Sequence, residues 1–183
     1  MRTRNLIVGV LSVVSLLAGS LTTAGPAHAD ALDTVTCTAP SSSQINTFDP
    51  PLTRTPASTT ATVSTQYGPC VSTVPGVTSG SRKARFNRRM SCQQLLDRET
   101  AKFTITWDNG QTSTVKGKRV ANVAGALFTL TLTGTVTEGL FKGQAVLQQN
   151  VAPSVDITKC TLGAGSVSSL YSAVTLEILP SGR

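Results

Sequence analysis

An all-β fold, a single antiparallel β-sandwich of Ig-like or Greek-key type with seven to nine strands, is what this sequence predicts, on three observations. Thr supplies 25 and Ser 16 of residues 30–183, and Thr alternating with Val or Leu suits a pleated surface with one buried face. Gly and Pro punctuate these runs every ten residues or so, at the spacing of short strands joined by turns. Four cysteines follow an export signal, and disulfides commonly brace secreted domains of this size.

The export signal comes first in the chain. Arg2 and Arg4 precede an apolar run from Leu6 to Ala18, and Ala27-His28-Ala29 has the A-x-A form of a cleavage site. Residues 1–29 are therefore expected to be a signal peptide, and residues 30–183 one secreted, extracellular domain beginning at Asp30. The apolar run is shorter than the roughly 20 residues that span a bilayer. Ser20 stands where a lipoprotein would carry its lipidated Cys, and the end at Leu179–Arg183 lacks the Thr and apolar tail of a wall-sorting signal. No membrane anchor is expected.

Thr34 to Thr38 and Thr59 to Gln66 read as short early strands, with Asn46 to Pro56 an irregular Pro-rich loop between them. Arg82 to Met90 follows. Cys92 to Asp97 is the one short helical turn expected. The clearest strand is Lys102 to Asp108, where Phe103, Ile105 and Trp107 share one face. Asn109-Gly110 then supplies a hairpin signal, because both residues tolerate positive φ, and the return strand runs from Thr112 to about Val120. Ala126 to Thr137 alternates for its whole length, Phe128, Leu130, Leu132 and Val136 inward, Thr129, Thr131, Thr133 and Thr135 outward. Glu138-Gly139 turns into Phe141 to Asn150, where Phe141, Ala145 and Leu147 share a face. The last strand, Ala173 to Leu179, buries Val174, Leu176 and Ile178.

Four cysteines allow three pairings. Sequential neighbours, Cys37–Cys70 and Cys92–Cys160, are favoured because each bond then ties an early segment to a later strand. Either loop is worth roughly 4 kcal/mol on the chain-entropy account. The spacings match no zinc pattern, and paired cysteines leave no thiol nucleophile.

Thr-Val-Thr-Cys at 34–37, Tyr67-Gly68-Pro69-Cys70, Ser91-Cys92 with Leu95-Leu96, Ile105-Thr106-Trp107 and Thr133-Gly134-Thr135-Val136 fall in an order that resembles a group of small secreted, four-cysteine, Thr-rich β proteins of Streptomyces and related actinomycetes. The resemblance covers nearly all of residues 30–183. It implies an exported, disulfide-bonded, β-rich protein. The group has no established activity, so no catalytic or binding residue is carried over. This chain departs from it in a basic segment where Ser and Gly are expected, and in Thr38-Ala39-Pro40, where a Gly is expected soon after the first Cys.

Composition narrows the chemistry. The single histidine, His28, lies in the expected signal peptide, so the domain has no imidazole for a Ser-His-Asp or Cys-His group or for a metal. Its nine acids are scattered and give no paired-carboxylate signature. No catalytic residue, cofactor or metal ligand is expected, and the protein is expected not to be an enzyme. The one unusual feature is charge. Residues 82–102 hold seven basic residues against Asp97 and Glu99, while the rest of residues 30–183 balances at seven of each sign.

On a strand, Lys83, Arg85 and Arg89 line one face, the first two about 6.7 Å apart, inside the roughly 8 Å screening length at physiological salt. Arg82, Lys116, Lys118 and Arg119 extend the patch if the following hairpin lies beside this strand. An anionic extracellular or cell-wall polymer is the partner such a patch suits. A charged, protected sheet edge is the structural alternative, with Arg88 interrupting the inward set Ala84, Phe86 and Met90. Only Phe86 is available as a stacking ring, so no specific nucleic acid is expected, and Trp107 belongs to the core rather than to a sugar platform. A second functional reading is a protease inhibitor presenting an extended, disulfide-anchored loop near Arg89–Cys92. The domain is expected to be a monomer.

Overall fold

The computed structural model describes residues 33–181; the expected signal peptide and Asp30 lie outside the described residues. Ten strands follow in chain order: β1 Val35–Cys37, β2 Ser43–Leu52, β3 Ala57–Tyr67, β4 Cys70–Ser72, β5 Gly80–Met90, β6 Glu99–Trp107, β7 Thr112–Ala124, β8 Leu127–Gly139, β9 Ala145–Pro153 and β10 Val167–Leu179. A 3₁₀ helix, Cys92–Leu96, links β5 to β6, and an α-helix, α1 Val155–Thr161, links β9 to β10.

The architecture is a closed barrel, which overturns the expected sandwich. Eight antiparallel strands run in the order β2-β3-β5-β6-β7-β8-β9-β10, and β10 pairs back onto β2. Closure rests on two stretches that sequence periodicity does not identify as strand. Val167–Ala173 extends β10 towards the N-terminus, and it pairs with Ser43–Leu52, most of which was expected to be the Pro-rich loop. Pro50 and Pro51 are tolerated because the β2–β3 ladder ends at Asp49–Thr60 and the β10 register shifts beside them, so no ladder N–H is missed. Long twisted strands bring the last strand round to the first, and closure pairs the β2 and β10 edges that a sandwich would leave.

β1 and β4 flank the barrel wall. β1 pairs with the end of β10, and Cys37 lies directly opposite Cys70 of β4, the two joined by a disulfide. The second disulfide, Cys92–Cys160, ties the 3₁₀ helix to α1 across Cα atoms 6.0 Å apart. α1 is an addition to the single helical turn expected. Its seven residues are too few for a clear period, and it is held by burial of Ile157 and Cys160 with Asp156 in its first turn and Lys159 in its last.

Inward positions follow the expected alternation on β6, β8 and β10: Phe103, Ile105, Trp107, Phe128, Leu132, Val136, Val174, Leu176 and Ile178 are all buried. β9 has the opposite phase. Val146, Gln148, Asn150 and Ala152 are buried, while Leu147 is exposed. One position of slip exchanges every side chain between faces, and here two amides take interior places that apolar patterning assigns to Ala145 and Leu147.

The interior is layered. One apolar cluster gathers Trp107, Tyr67, Ile105, Val136, Phe141 and Leu176 at the Cys37–Cys70 end. Another gathers Leu52, Met90, Phe128, Ile157 and Val167 around Cys92–Cys160. Polar side chains occupy the layer between them.

Candidate anion-binding site

β5 leaves β6 early. Among the described residues the two strands pair only at Gly80–Trp107 and Ser81–Thr106, although β5 pairs with β3 along its whole length. Gly80 permits the first contact, since a Cβ there would lie 2.7 Å from the Trp107 ring. Beyond Ser81 the inward side chains of β5 are large except Ala84, and the seam is bridged by side chains instead of backbone. The Arg82 guanidinium lies over the Phe103 ring, 4.0 Å from its centroid. Arg88 donates both terminal nitrogens to the Glu99 carboxylate at 3.0 and 3.3 Å, and Arg119 of β7 donates to the same carboxylate.

Behind this seam lies a cavity of about 280 Å³, close to the lower end of the roughly 300–1,000 Å³ of small-molecule sites. Its apolar wall includes Phe48, Phe86, Met90, Phe128, Leu130 and Leu170. Its polar part holds Arg82, Arg88, Arg119 and Glu99, with Gln44, Asn46, Asn150 and Ser172. Lys102 at the rim is paired to Glu138 at 3.3 Å. A smaller void of about 30 Å³ borders both Arg82 and Arg119, between Gln44, Asn46, Gln148 and Asn150.

Two guanidiniums, Arg88 and Arg119, thus share one carboxylate, while Arg82 lies beside the Tyr67 phenol. Burial first, and Arg88 and Arg82 second, draw Arg119 down to about 10, despite its bond to Glu99. Burial also lowers Arg82. The Nε atoms of Arg82 and Arg119 are buried and have no hydrogen-bond partner. The amides nearby do not supply the missing acceptors, because they bond to one another. Tyr67 Oη donates to Gln148 Oε1 at 2.9 Å, Gln148 Nε2 to Asn150 Oδ1 at 2.8 Å, and Asn150 Nδ2 to Ser172 Oγ at 3.2 Å. Gln44 Nε2 donates to Asn46 Oδ1 at 3.2 Å, and its carbonyl accepts from Thr65 Oγ1 at 2.9 Å. Tyr67 supplies no counter-charge either, since burial pushes its phenol up to about 12.

The residues expected from sequence divide between the two faces of the wall. Lys83, Arg85 and Arg89 are exposed on the outer face of β5, opposite Ser64, Thr62 and Ser58 of β3. Lys116 and Lys118 are exposed on β7, with β6 between them and β5. Arg82 and Arg119, expected to join that patch, turn into the barrel instead. Arg88 does interrupt the inward set of β5, and beyond Ser81 that strand is an edge on its β6 side. The interior role of Glu99 escaped sequence reading because one acid beside Arg98 looks like ordinary surface charge. A basic residue at an inward position, Arg88 among Ala84, Phe86 and Met90, was the available signal.

Comparison with protein-family models, with curated proteins and with solved structures found no match.

Proposed function

We propose that this protein is exported and acts by binding, without catalysis, holding an anionic extracellular or cell-wall polymer against the outer face of β5. The observation that carries this reading is the row Lys83, Arg85 and Arg89: three exposed cations on alternate positions of one strand, none within ion-pair distance of a carboxylate among the described residues. Their neighbours across the ladder, Ser64, Thr62 and Ser58, add hydroxyls and no negative charge. Repulsion along such a row is relieved when a polyanion lies over it. Lys116 and Lys118 add charge on β7.

The acids support a binding role over a hydrolytic one. The Thr78 hydroxyl donates to Asp108 and, with the Thr78 and Ser79 backbone N–H groups at 3.0–3.2 Å, holds its carboxyl below the usual range. Glu138 is paired to Lys102 and Glu99 to two arginines. Export is supported by the signal-like N-terminus and by the two disulfides, which persist in oxidising compartments. The inhibitor reading is not favoured. Arg88, Arg89 and Met90 are paired into the wall, and Met90, Ser91 and Cys92 are buried, so this stretch is no free loop.

Elution from heparin and from a plain cation exchanger tests the polymer reading. The Lys83/Arg85/Arg89→Ala variant is expected to lose the additional heparin retention while its circular dichroism stays unchanged. Equal elution of parent and variant from heparin overturns the reading. Sequencing the N-terminus of protein recovered from culture medium tests export, with Asp30 the expected first residue.

A further inference from the structure

The outer row explains only part of the chain's excess charge, and the interior carries a separate imbalance. Buried ions are normally paired, because removing a guanidinium from water costs several kcal/mol unless its charge and hydrogen bonds are met. Here Arg88 and Arg119 share one carboxylate, Glu99, Arg82 is paired to none, and the buried Nε–H groups of Arg82 and Arg119 have no acceptor. The surrounding amides and hydroxyls are neutral and engaged with one another. No other side chain lining the cavity brings an acid. The counter-charge that this layer lacks is therefore external.

We propose that the cavity behind the β5–β6 seam binds a small amphipathic organic acid, one carboxylate on a compact apolar body. The carboxylate would sit between Arg82 and Arg119, beside the small polar void that both border. Guanidinium forks match a carboxylate's geometry and bind it through charge-assisted bonds. The apolar body would lie against Phe86, Met90, Phe128, Leu130 and Leu170, which line the larger cavity. The seam is the entrance. It is spanned by the Arg88–Glu99 pair, which is partly exposed to solvent, and not by a backbone ladder. Exposed ion pairs hold weakly, so this closure opens at less cost than a run of ladder hydrogen bonds.

Two acid and alcohol pairs test this by titration calorimetry on the purified protein: octanoate with octanol, and 2-naphthoate with 2-naphthylmethanol, with acetate as a head lacking a body. At least one acid is expected to bind with 1:1 stoichiometry and about tenfold or more tighter than its alcohol, as suits a charge-assisted contact. Acetate is expected to give no measurable heat at the same concentration. Arg82→Met keeps the side chain's bulk and removes its charge. It is expected to reduce acid affinity about tenfold or more, leave alcohol binding unchanged, and keep or raise the Tm of the unliganded protein, since an unmatched buried charge is removed. If that variant fails to fold, Arg119→Met serves, with the same loss expected.

No binding of either acid at millimolar concentration overturns the proposal. So does equal binding of acid and alcohol, or undiminished acid affinity in folded arginine variants. The Lys83/Arg85/Arg89→Ala variant should bind the acids as the parent does, so this inference and the polymer reading fail independently.

Discussion

Between β7 and β8 the backbone ladder runs from Ser113–Gly139 to Ala124–Leu127, whereas between β5 and β6 it ends after two pairs. At the first seam the inward side chains shrink where the strands press closest. A Cβ on Gly117 would lie 2.6 Å from the Thr133 carbonyl oxygen, and one on the opposed Gly134 would collide with the Lys116 carbonyl. At the second seam the inward positions carry Arg82, Phe86, Arg88 and Met90, and ion pairing takes over from backbone pairing. The difference teaches that one barrel separates its tasks. A glycine-tightened seam is sealed by backbone along its length, while a charged seam leaves a way into the interior.

The two seams differ in what holds them, and that can be broken. The open seam ends at the 3₁₀ helix, which Cys92–Cys160 ties to α1 across 68 residues. Changing both cysteines to Ser should lower unfolding free energy by about 4 kcal/mol in urea titrations. A loss below 1 kcal/mol would mean that packing alone holds this end. On the sealed seam, Gly134→Ala should cost about 2–3 kcal/mol by the same titration, because the methyl meets backbone that cannot turn aside. A neutral result would show that this seam yields as the open one does.

The Cys37–Cys70 end also predicts a pH dependence. Tyr67 is buried and its phenol is raised from 10.0 to about 12, first by burial, with Arg82 opposing. For an acid whose folded pKa is raised, unfolding releases the proton. Stability is then fully present below pH 10 and is lost as pH rises through the window from 10 to 12, by about 2 kcal/mol in all. Denaturant titrations across that window in the parent and in Tyr67→Phe check this. Arg119, drawn down to about 10, contributes the opposite slope in both, so the parent-minus-variant difference should fall by this amount. The smallest expected effect is at the open seam. Glu99→Gln leaves two guanidiniums without a counter-ion, yet the pair is partly exposed, so the cost should be only about 1 kcal/mol. A cost near 4 kcal/mol would make Glu99 the true closure of that seam.

Much of the wall was legible in the sequence. Phe103, Ile105 and Trp107 of β6, and the Thr-lined outward face of β8, lie in the phase their alternation predicts. Asn109-Gly110 does turn the chain, with Gly110 at φ +81°. The reading failed where the interior departs from apolarity. On β9 apolar alternation points Leu147 inward, whereas the barrel buries Gln148 and Asn150. The same alternation makes Arg82 and Arg119 surface charge. Asn46 to Pro56 reads as loop because two prolines suggest one, although they fall where neighbouring strands ask for no hydrogen bond.

Local chemistry by itself determined the β class, most strand phases and the outer basic row, since each depends on residues two to ten positions apart. Tertiary structure alone decided that the sheet closes, that one seam lacks a backbone ladder and that Arg82 and Arg119 turn inside. Closure joins β2 to β10, as where Ser172 Oγ donates to the Gln44 carbonyl 128 positions away, and the arginine cluster draws on β5 and β7 across the β6 carboxylate. Such meetings follow from strand length, twist and stagger summed around a ring, and a period of two residues carries no record of that sum.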